Sequence, residues 1–294
     1  MKQTTKKRRF AAVAVFAAAA LAVFALAGCS GGQSSSASSA ASGQASGESS
    51  AENGTLRVAM ELAYPPFETR DESGEAYGIS PAFMRAFGEA YGYDVQIDNT
   101  AFDGLIPALQ TDKADCVMSS VTITDARKEQ VDFTDPYAVA QLAILANADS
   151  GVNSIDDLNQ SDKTVAVKTG STGDVYATAH LTNAHITRLA DESACVTEVS
   201  QGSADGFLYD QLTIYRNNKA NPDTTKAVFI PFQDAEHWGI AVAKGNDTLR
   251  EQLNEFIATC KQDGTFEKLT QEYLPDEKAA FDELGFRWFF DFDE

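Results

Sequence analysis

Ala114-Asp115-Cys116-Val117-Met118-Ser119-Ser120-Val121-Thr122-Ile123-Thr124-Asp125-Ala126-Arg127 decides the reading of the fold. It is a short apolar run, then a row of hydroxyls, then a helix start. The run Ala114–Met118 has the length and bounding signals of a buried strand. Upstream, Leu105–Leu109 reads as a helix and Val95–Ile97 as a strand. Before them, Ser80 and Pro81 look like the N-cap and first residue of another helix, with Phe83, Met84 and Phe87 on one face and Gly92 as its stop. Earlier still come a hairpin signal at Ser73-Gly74, the turn-forming Tyr64-Pro65-Pro66-Phe67 and a strand at Leu56–Met60. Strand and helix alternating in this way predict an α/β fold with a mostly parallel sheet and helices on both faces.

Downstream the rhythm restarts. Val139–Ala146 reads as a connecting strand, Thr164–Val167 as a strand, Gly170-Ser171-Thr172-Gly173 as a turn, and the residues to about Ala179 as a helix. Strand Ile186–Leu189, helix Asp191–Gln201, strand Asp205–Leu208 and a helix to about Asn218 complete a second α/β half. The chain then continues through a strand at Gly239–Ala243 and amphipathic helices at Asp247–Cys260 and Thr265–Tyr273. The economical arrangement returns this last part to the first half, so the chain crosses twice between two lobes. Such a double crossover is a hinge. No repeat of fixed period is evident.

The first residues are of another kind. Lys2, Lys6, Lys7, Arg8 and Arg9 precede an apolar stretch from Phe10 to Ala27, and Leu26-Ala27-Gly28-Cys29 follows. This is an export-signal pattern. A retained membrane anchor is the alternative, since the stretch is near the lower limit for spanning a bilayer; the small residues directly before a cysteine favour cleavage and lipidation of Cys29, as in the lipobox that the motif resembles. From Ser30 to Gly54 the chain is almost entirely Ser, Ala, Gly and Gln, too poor in apolar side chains to order itself. As a flexible coil this tether would span roughly 25–30 Å.

With 23 Lys and Arg against 43 Asp and Glu, the net charge is −20. The five cations of the export signal, once removed, leave a still more acidic chain. This balance argues against nucleic-acid binding, which uses a basic patch. Cys116, Cys195 and Cys260 have no CxxC spacing and allow at most one internal disulfide. Cys116, in an apolar run, reads as a small buried hydrophobe. His180, His185 and His237 form no metal-binding spacing, and nothing in the pattern calls for a metal or a cofactor.

In open α/β sheets ligands sit at the carboxyl ends of strands, where helix N-termini offer unpaired N–H groups. Three stretches fall there. In Ser119–Arg127 the hydroxyls of Ser119, Ser120 and Thr122 stand one helical turn before Arg127, and an arginine fork with such donors fits a carboxylate. Thr169–Gly173, with Thr172, is a strand-to-helix turn without the ending of a nucleotide loop. Asp210 lies just past a strand, placed to accept from an ammonium. Each alone has a plainer explanation: Arg127 paired with Glu129 or Asp132 on a helix surface, Asp210 as an N-cap, the glycines as a turn. Together they supply one cation and one anion at strand ends, which recognition of a zwitterion requires. Tyr64 and Phe102 are candidate apolar walls.

Leu56-Arg57-Val58-Ala59-Met60-Glu61 with Tyr64-Pro65-Pro66-Phe67-Glu68, then Phe102–Leu109, Ser119–Arg127 and Val131–Tyr137, resemble the polar amino-acid-binding proteins of ABC importers, solute-binding family 3. The similarity continues through Val165–Ser171, Ala204–Asp210 and Trp238–Val242, and covers roughly Thr55 to Tyr273. It implies the two-lobe, type II periplasmic-binding-protein fold, hinged by two crossover strands, with 55–141 and 238–294 as lobe 1 and 142–237 as lobe 2, after a signal at 1–28 and a lipidated tether at 29–54. It further implies that Arg127, helped by Ser120, Thr122 and the backbone at Thr172, binds the ligand carboxylate, that Asp210 takes the α-ammonium, and that Tyr64 and Phe102 sandwich the ligand. Positions matching Glu61, Lys168 and Tyr209 face the ligand side chain. A cation near Lys168 or an anion near Glu61 meets a like charge, costly in a desolvated site, so a neutral polar side chain, glutamine first, is expected, with cystine and histidine open.

Gly78-Ile79-Ser80 departs from the family's usual Gly-Phe-Asp, and the aromatic, acidic tail from Leu274 to Glu294 extends past the family's end. Packing against lobe 1 is the favoured role for the tail; docking to a transporter is the alternative. The expected protein is thus a non-enzymatic monomer held outside the membrane by its lipid, closing on an amino acid and presenting it to an importer permease. The rival reading is an enzyme on the same scaffold, such as a cyclohexadienyl dehydratase-like protein.

Overall fold

The computed structural model describes residues 53–292. The expected signal, Cys29 and nearly all of the expected tether lie outside the described residues.

Strand β1 (Thr55–Met60) is the first element of the described residues, and the hairpin β2 (Thr69–Arg70) and β3 (Ala76–Tyr77) follows. Helix α1 (Ile79–Tyr91) then presents Phe83, Met84 and Phe87 inward and stops at the left-handed Gly92. Its start differs from expectation. Gly78 is the N-cap, at φ 118°, where a side chain would run into the carbonyls of Pro66 and Phe67. Ser80 is therefore inside the helix, fully buried, and its hydroxyl donates to Glu68 Oε1 at 2.7 Å instead of capping.

Next come β4 (Asp94–Asn99), α2 (Leu105–Gln110), β5 (Cys116–Val117), α3 (Asp125–Lys128) and β6 (Asp132–Phe133). The expected single strand Val139–Ala146 is two strands, β7 (Ala138–Ala140) and β8 (Leu142–Asn147). Gln141 breaks it: its carbonyl accepts from Gln211 N and its amide donates to Gln233 O, both at 2.9 Å, so the two sides pair with different partners.

The second half holds α4 (Ile155–Leu158), β9 (Thr164–Lys168), α5 (Thr172–His180), β10 (His185–Leu189), α6 (Glu192–Ser200), β11 (Gly206–Asp210), α7 (Gln211–Ala220) and β12 (Thr225–Val228). The chain returns through β13 (Glu236–Trp238) and β14 (Ala241–Val242) and ends in α8 (Asp247–Gln262), α9 (Thr265–Tyr273) and α10 (Pro275–Leu284).

Two five-stranded sheets result, in the orders β4-β1-β5-β14-β6 and β10-β9-β11-β8-β12. Pairs built by strand–helix–strand units are parallel, β1 with β4 and β5, and β9 with β10 and β11. Strands that enter from a crossover, β14 and β8, are antiparallel to their neighbours. The crossovers themselves pair as an antiparallel ladder, β7 with β13, in the register Ala140↔Glu236 to Ala138↔Trp238. This is the two-lobe type II fold with its two-strand hinge. In the first lobe Leu249, Leu253, Ile257 and Cys260 of α8, one helical stripe, pack with α1, where Phe83 meets Phe256 and Phe266 at 5.0 and 5.8 Å. Val165, Val167, Ile144 and Leu208 centre the second. Cys116, Cys195 and Cys260 are all buried and unbridged. Among the described residues no helix is long and apolar enough to cross a membrane.

Candidate functional site

Both sheets turn their strand ends toward one small cavity between the lobes. Glu61, Tyr64, Phe102, Ser119, Ser120, Thr122, Arg127, Thr172, Tyr209 and Asp210 line it, joined by Leu142, Ser171, Glu236 and Trp238. Ten of the eleven residues that the sequence singled out are brought together on this surface. The eleventh, Lys168, lies behind it at the end of β9.

At one end stands Arg127, positioned by α3, whose N-cap Thr124 accepts from Arg127 N at 3.3 Å. The guanidinium donates to Thr122 O at 2.7 Å within its own lobe and to Gly170 O at 3.1 Å across the cleft. It lies over the Phe102 ring at 5.7 Å, an attractive placement for a cation. The surface pairing with Glu129 or Asp132 does not form; Asp132 pairs with Lys244 at 2.8 Å instead. Burial lowers the Arg127 pKa, with the Glu236 charge opposing that shift. Its hydrogen bonds reach carbonyls only, and Glu236 meets its charge only in part, which leaves it able to take a ligand carboxylate.

At the other end Asp210 closes β11. Its Oδ1 accepts from Leu212 N and Thr213 N at 2.9 and 3.1 Å, so the N-cap role is real. Oδ2 is buried and makes no hydrogen bond of its own, and neither does the hydroxyl of Tyr64. Burial pushes the Asp210 carboxyl up, while the nearby Tyr64 phenol and the helix N–H groups pull it down. A desolvated carboxylate with one free oxygen is a place for a donor, and an ammonium is the donor that best offsets its burial.

Between them lie the three hydroxyls. Ser119 Oγ accepts from Glu61 N at 2.9 Å, Ser120 Oγ donates to Glu68 at 3.0 Å, and Thr122 Oγ1 donates to Glu236 at 2.9 Å. Ser120 and Thr122 spend their hydroxyl protons on the protein, whereas Ser119 Oγ only accepts and its O–H can still donate. Ser120 takes the left-handed φ of 49° that sets this turn. Glu61 and Lys168 form a buried ion pair across the cleft. Lys168 Nζ also lies 3.4 Å from Tyr209 Oη and 4.9 Å above the Phe102 ring. The two charges cancel locally, so neither acts on a ligand as a lone charge.

Four buried or half-buried groups escaped the sequence reading. Trp238 walls the cavity, 6.2 Å from Tyr64. Glu236 accepts from Thr122 and Thr172. Glu192, in the first turn of α6, has a buried Oε2 without a hydrogen bond, and burial pushes its carboxyl to about 8. Glu68, fully buried beneath Ser80 and Ser120, is likewise pushed to about 8 by burial. Glu68, the charge after Pro65-Pro66-Phe67, and Trp238, which opens Trp238–Val242, stand in stretches that carry the resemblance, but neither is singled out there for the site.

Glu68 yields a pH prediction. In the unfolded chain it ionises near 4.5, in the fold near 8. Between those values the native state holds a proton that the unfolded state has released, so stability falls as pH rises from about 4.5 to 8. Glu68→Gln keeps an acceptor for Ser80 and removes the titration. It is expected to gain roughly 2 kcal/mol over the parent at pH 8 and little at pH 5, the shift being discounted from 1.36 kcal/mol per unit for relaxation. Urea unfolding at the two pH values checks this; equal differences at both would contradict it.

The model of the bacterial extracellular solute-binding proteins, family 3, matches residues 56–276. The chain belongs to that family. It is 34% identical to the probable histidine-binding protein of Neisseria gonorrhoeae, over 75% of this chain and 83% of that one. It is 28% identical to the L-cystine-binding protein TcyJ of Escherichia coli K12, over 75% and 83%. Among solved structures it is similar to an ancestral arginine-binding protein bound to glutamine, with TM-score 0.69, 35% identity, and coverage of 75% and 97%.

Proposed function

We propose that the protein binds a polar L-amino acid by closure of its lobes and delivers it to an ABC importer outside the cytoplasm, held to the membrane through Cys29. One observation carries the reading. Arg127, a half-buried cation whose hydrogen bonds end on carbonyls, and Asp210, a buried anion with one oxygen left without a hydrogen bond, line one cavity. A zwitterion fills both, its carboxylate at Arg127 and its ammonium at Asp210, with Tyr64 and Phe102 on its flanks. The side chain then points toward Tyr209 and the Glu61–Lys168 pair. Because that pair is self-neutralised, a neutral group that both donates and accepts fits best. Glutamine is the first candidate, and the histidine- and cystine-binding relatives make those two the next. The enzyme reading has no comparable support: the relatives named here are binding proteins, and the groups at the cavity are accounted for by clamping a ligand.

Closure follows from where the contacts lie. Arg127 belongs to one lobe, Asp210 to the other, so the ligand gains its full contacts only when both are brought together.

Thermal unfolding against every L-amino acid and cystine tests this. A ligand at one hundred times its dissociation constant stabilises by about 2.7 kcal/mol. One or a few neutral polar amino acids are expected to raise the midpoint; no shift from any of them would sink the proposal.

A further inference from the structure

Thr122 and Thr172 stand on opposite sides of the cleft. Thr122 is bridged to Trp238 beside the first sheet, while Thr172 opens α5, directly after β9 of the second. Their hydroxyls both donate to the same atom, Glu236 Oε2, each at 2.9 Å. Glu236 Oε1 accepts from Gln233 Nε2 at 2.8 Å. Glu236 itself is the first residue of β13, paired to Ala140 in the hinge ladder. A carboxylate anchored on the hinge thus holds one hydroxyl from each lobe.

We propose that Glu236 is a positioning residue for lobe closure, tying Thr122 to Thr172 and so giving the empty protein a populated closed state. The geometry requires closure. Rotation about β7 and β13 carries Thr172 away with the second sheet while Glu236 stays on the hinge, and a bond at 2.9 Å is lost within about 1 Å of displacement. Both bonds are charge-assisted, the stronger kind. The same carboxylate faces Arg127 and partly offsets its charge. Other links also join the lobes: Arg127 to Gly170 O and Lys168 to Glu61 use groups placed against the ligand, while Arg216 to Pro65 O and Glu277, and Gln211 to Arg287 O, lie outside the cavity lining. Glu236 closes its link with the protein's own carboxylate, in the subsite where a ligand carboxylate would arrive.

The proposal rests on the amino-acid reading only for what closure accomplishes, and its test uses protein without ligand, so the two can fail separately. Spin labels are placed at exposed Glu89 and Asp162, one on each lobe, through E89C and D162C in the full chain in detergent with C29S; the described native cysteines are buried. Pulsed distance measurement is expected to resolve a short, closed distance alongside a longer one. E236A should cut the closed fraction at least threefold, E236Q by less, and T172V by as much as E236A, with no further loss in the E236A/T172V double variant. If E236A does not fold, E236Q and T172V decide. A closed fraction unchanged in folded variants, additive losses, or no closed population in the parent each overturns the proposal.

Discussion

Arg127→Ala is expected to weaken binding of the amino acid selected by thermal screening by about 2–5 kcal/mol, the cost of removing one member of a buried charge pair. The argument is one of unmet charge. The guanidinium is half-buried, its two hydrogen bonds end on the carbonyls of Thr122 and Gly170, and Glu236 offsets its charge only in part, so a ligand carboxylate completes the counter-charge. Arg127→Lys keeps the charge without the planar fork and should recover only part of the loss. The opposite end needs a subtler substitution. Asp210→Ala would remove both the ammonium partner and the cap of α7, worth about 1 kcal/mol of stability. Asp210→Asn keeps a side-chain oxygen for Leu212 N and Thr213 N, and asparagine caps as well as aspartate, so folding should hold while affinity drops by a similar 2–5 kcal/mol. Isothermal titration and urea unfolding separate the two effects. Full affinity in either Arg127→Ala or Asp210→Asn would remove the clamp.

The lobes were legible because each strand–helix–strand unit prints its own period, and the order of those units returns the last strand to the first sheet. Boundaries were less legible where backbone pairing is brief. Ala114–Met118 reads as one apolar strand, yet only Cys116 and Val117 pair, because Ser119 and Ser120 already turn away. Gln141 divides an apolar run that looks continuous, since hydropathy does not record that Ala140 faces the hinge and Leu142 the second sheet. At the site, sequence reveals which groups can donate and not which acceptor they meet. Ser119, Ser120 and Thr122 line one cavity, but their hydroxyls meet Glu61, Glu68 and Glu236. Glu236 itself follows an irregular stretch with no periodic signal, and its importance arises only from two threonines far away in the chain.

Phe289→Ala is expected to cost about 3–5 kcal/mol of folding stability, the range for emptying a fully buried phenylalanine site. The tail beyond Tyr273 is a structural part of the first lobe. Helix α10 buries Phe281, and the residues after it bury Trp288, Phe289 and Phe290. Phe289 has no exposed surface, and its ring lies 5.0 Å from Phe67 and 5.3 Å from Trp238. Those two rings in turn support Tyr64, stacked on Phe67 at 5.3 Å, so the tail braces the aromatic wall of the cavity from behind. Its backbone also reaches the hinge, where Phe289 O accepts from Val139 N at 2.8 Å in β7. Removing the ring should therefore destabilise the fold and loosen Tyr64 and Trp238 against the ligand, lowering affinity as a secondary effect. Phe289→Leu, which refills most of the volume, should cost less on both counts. A tail that served only to dock a transporter would make the alanine variant nearly neutral in urea unfolding, and a loss under 1 kcal/mol would favour that role over the packing argued here.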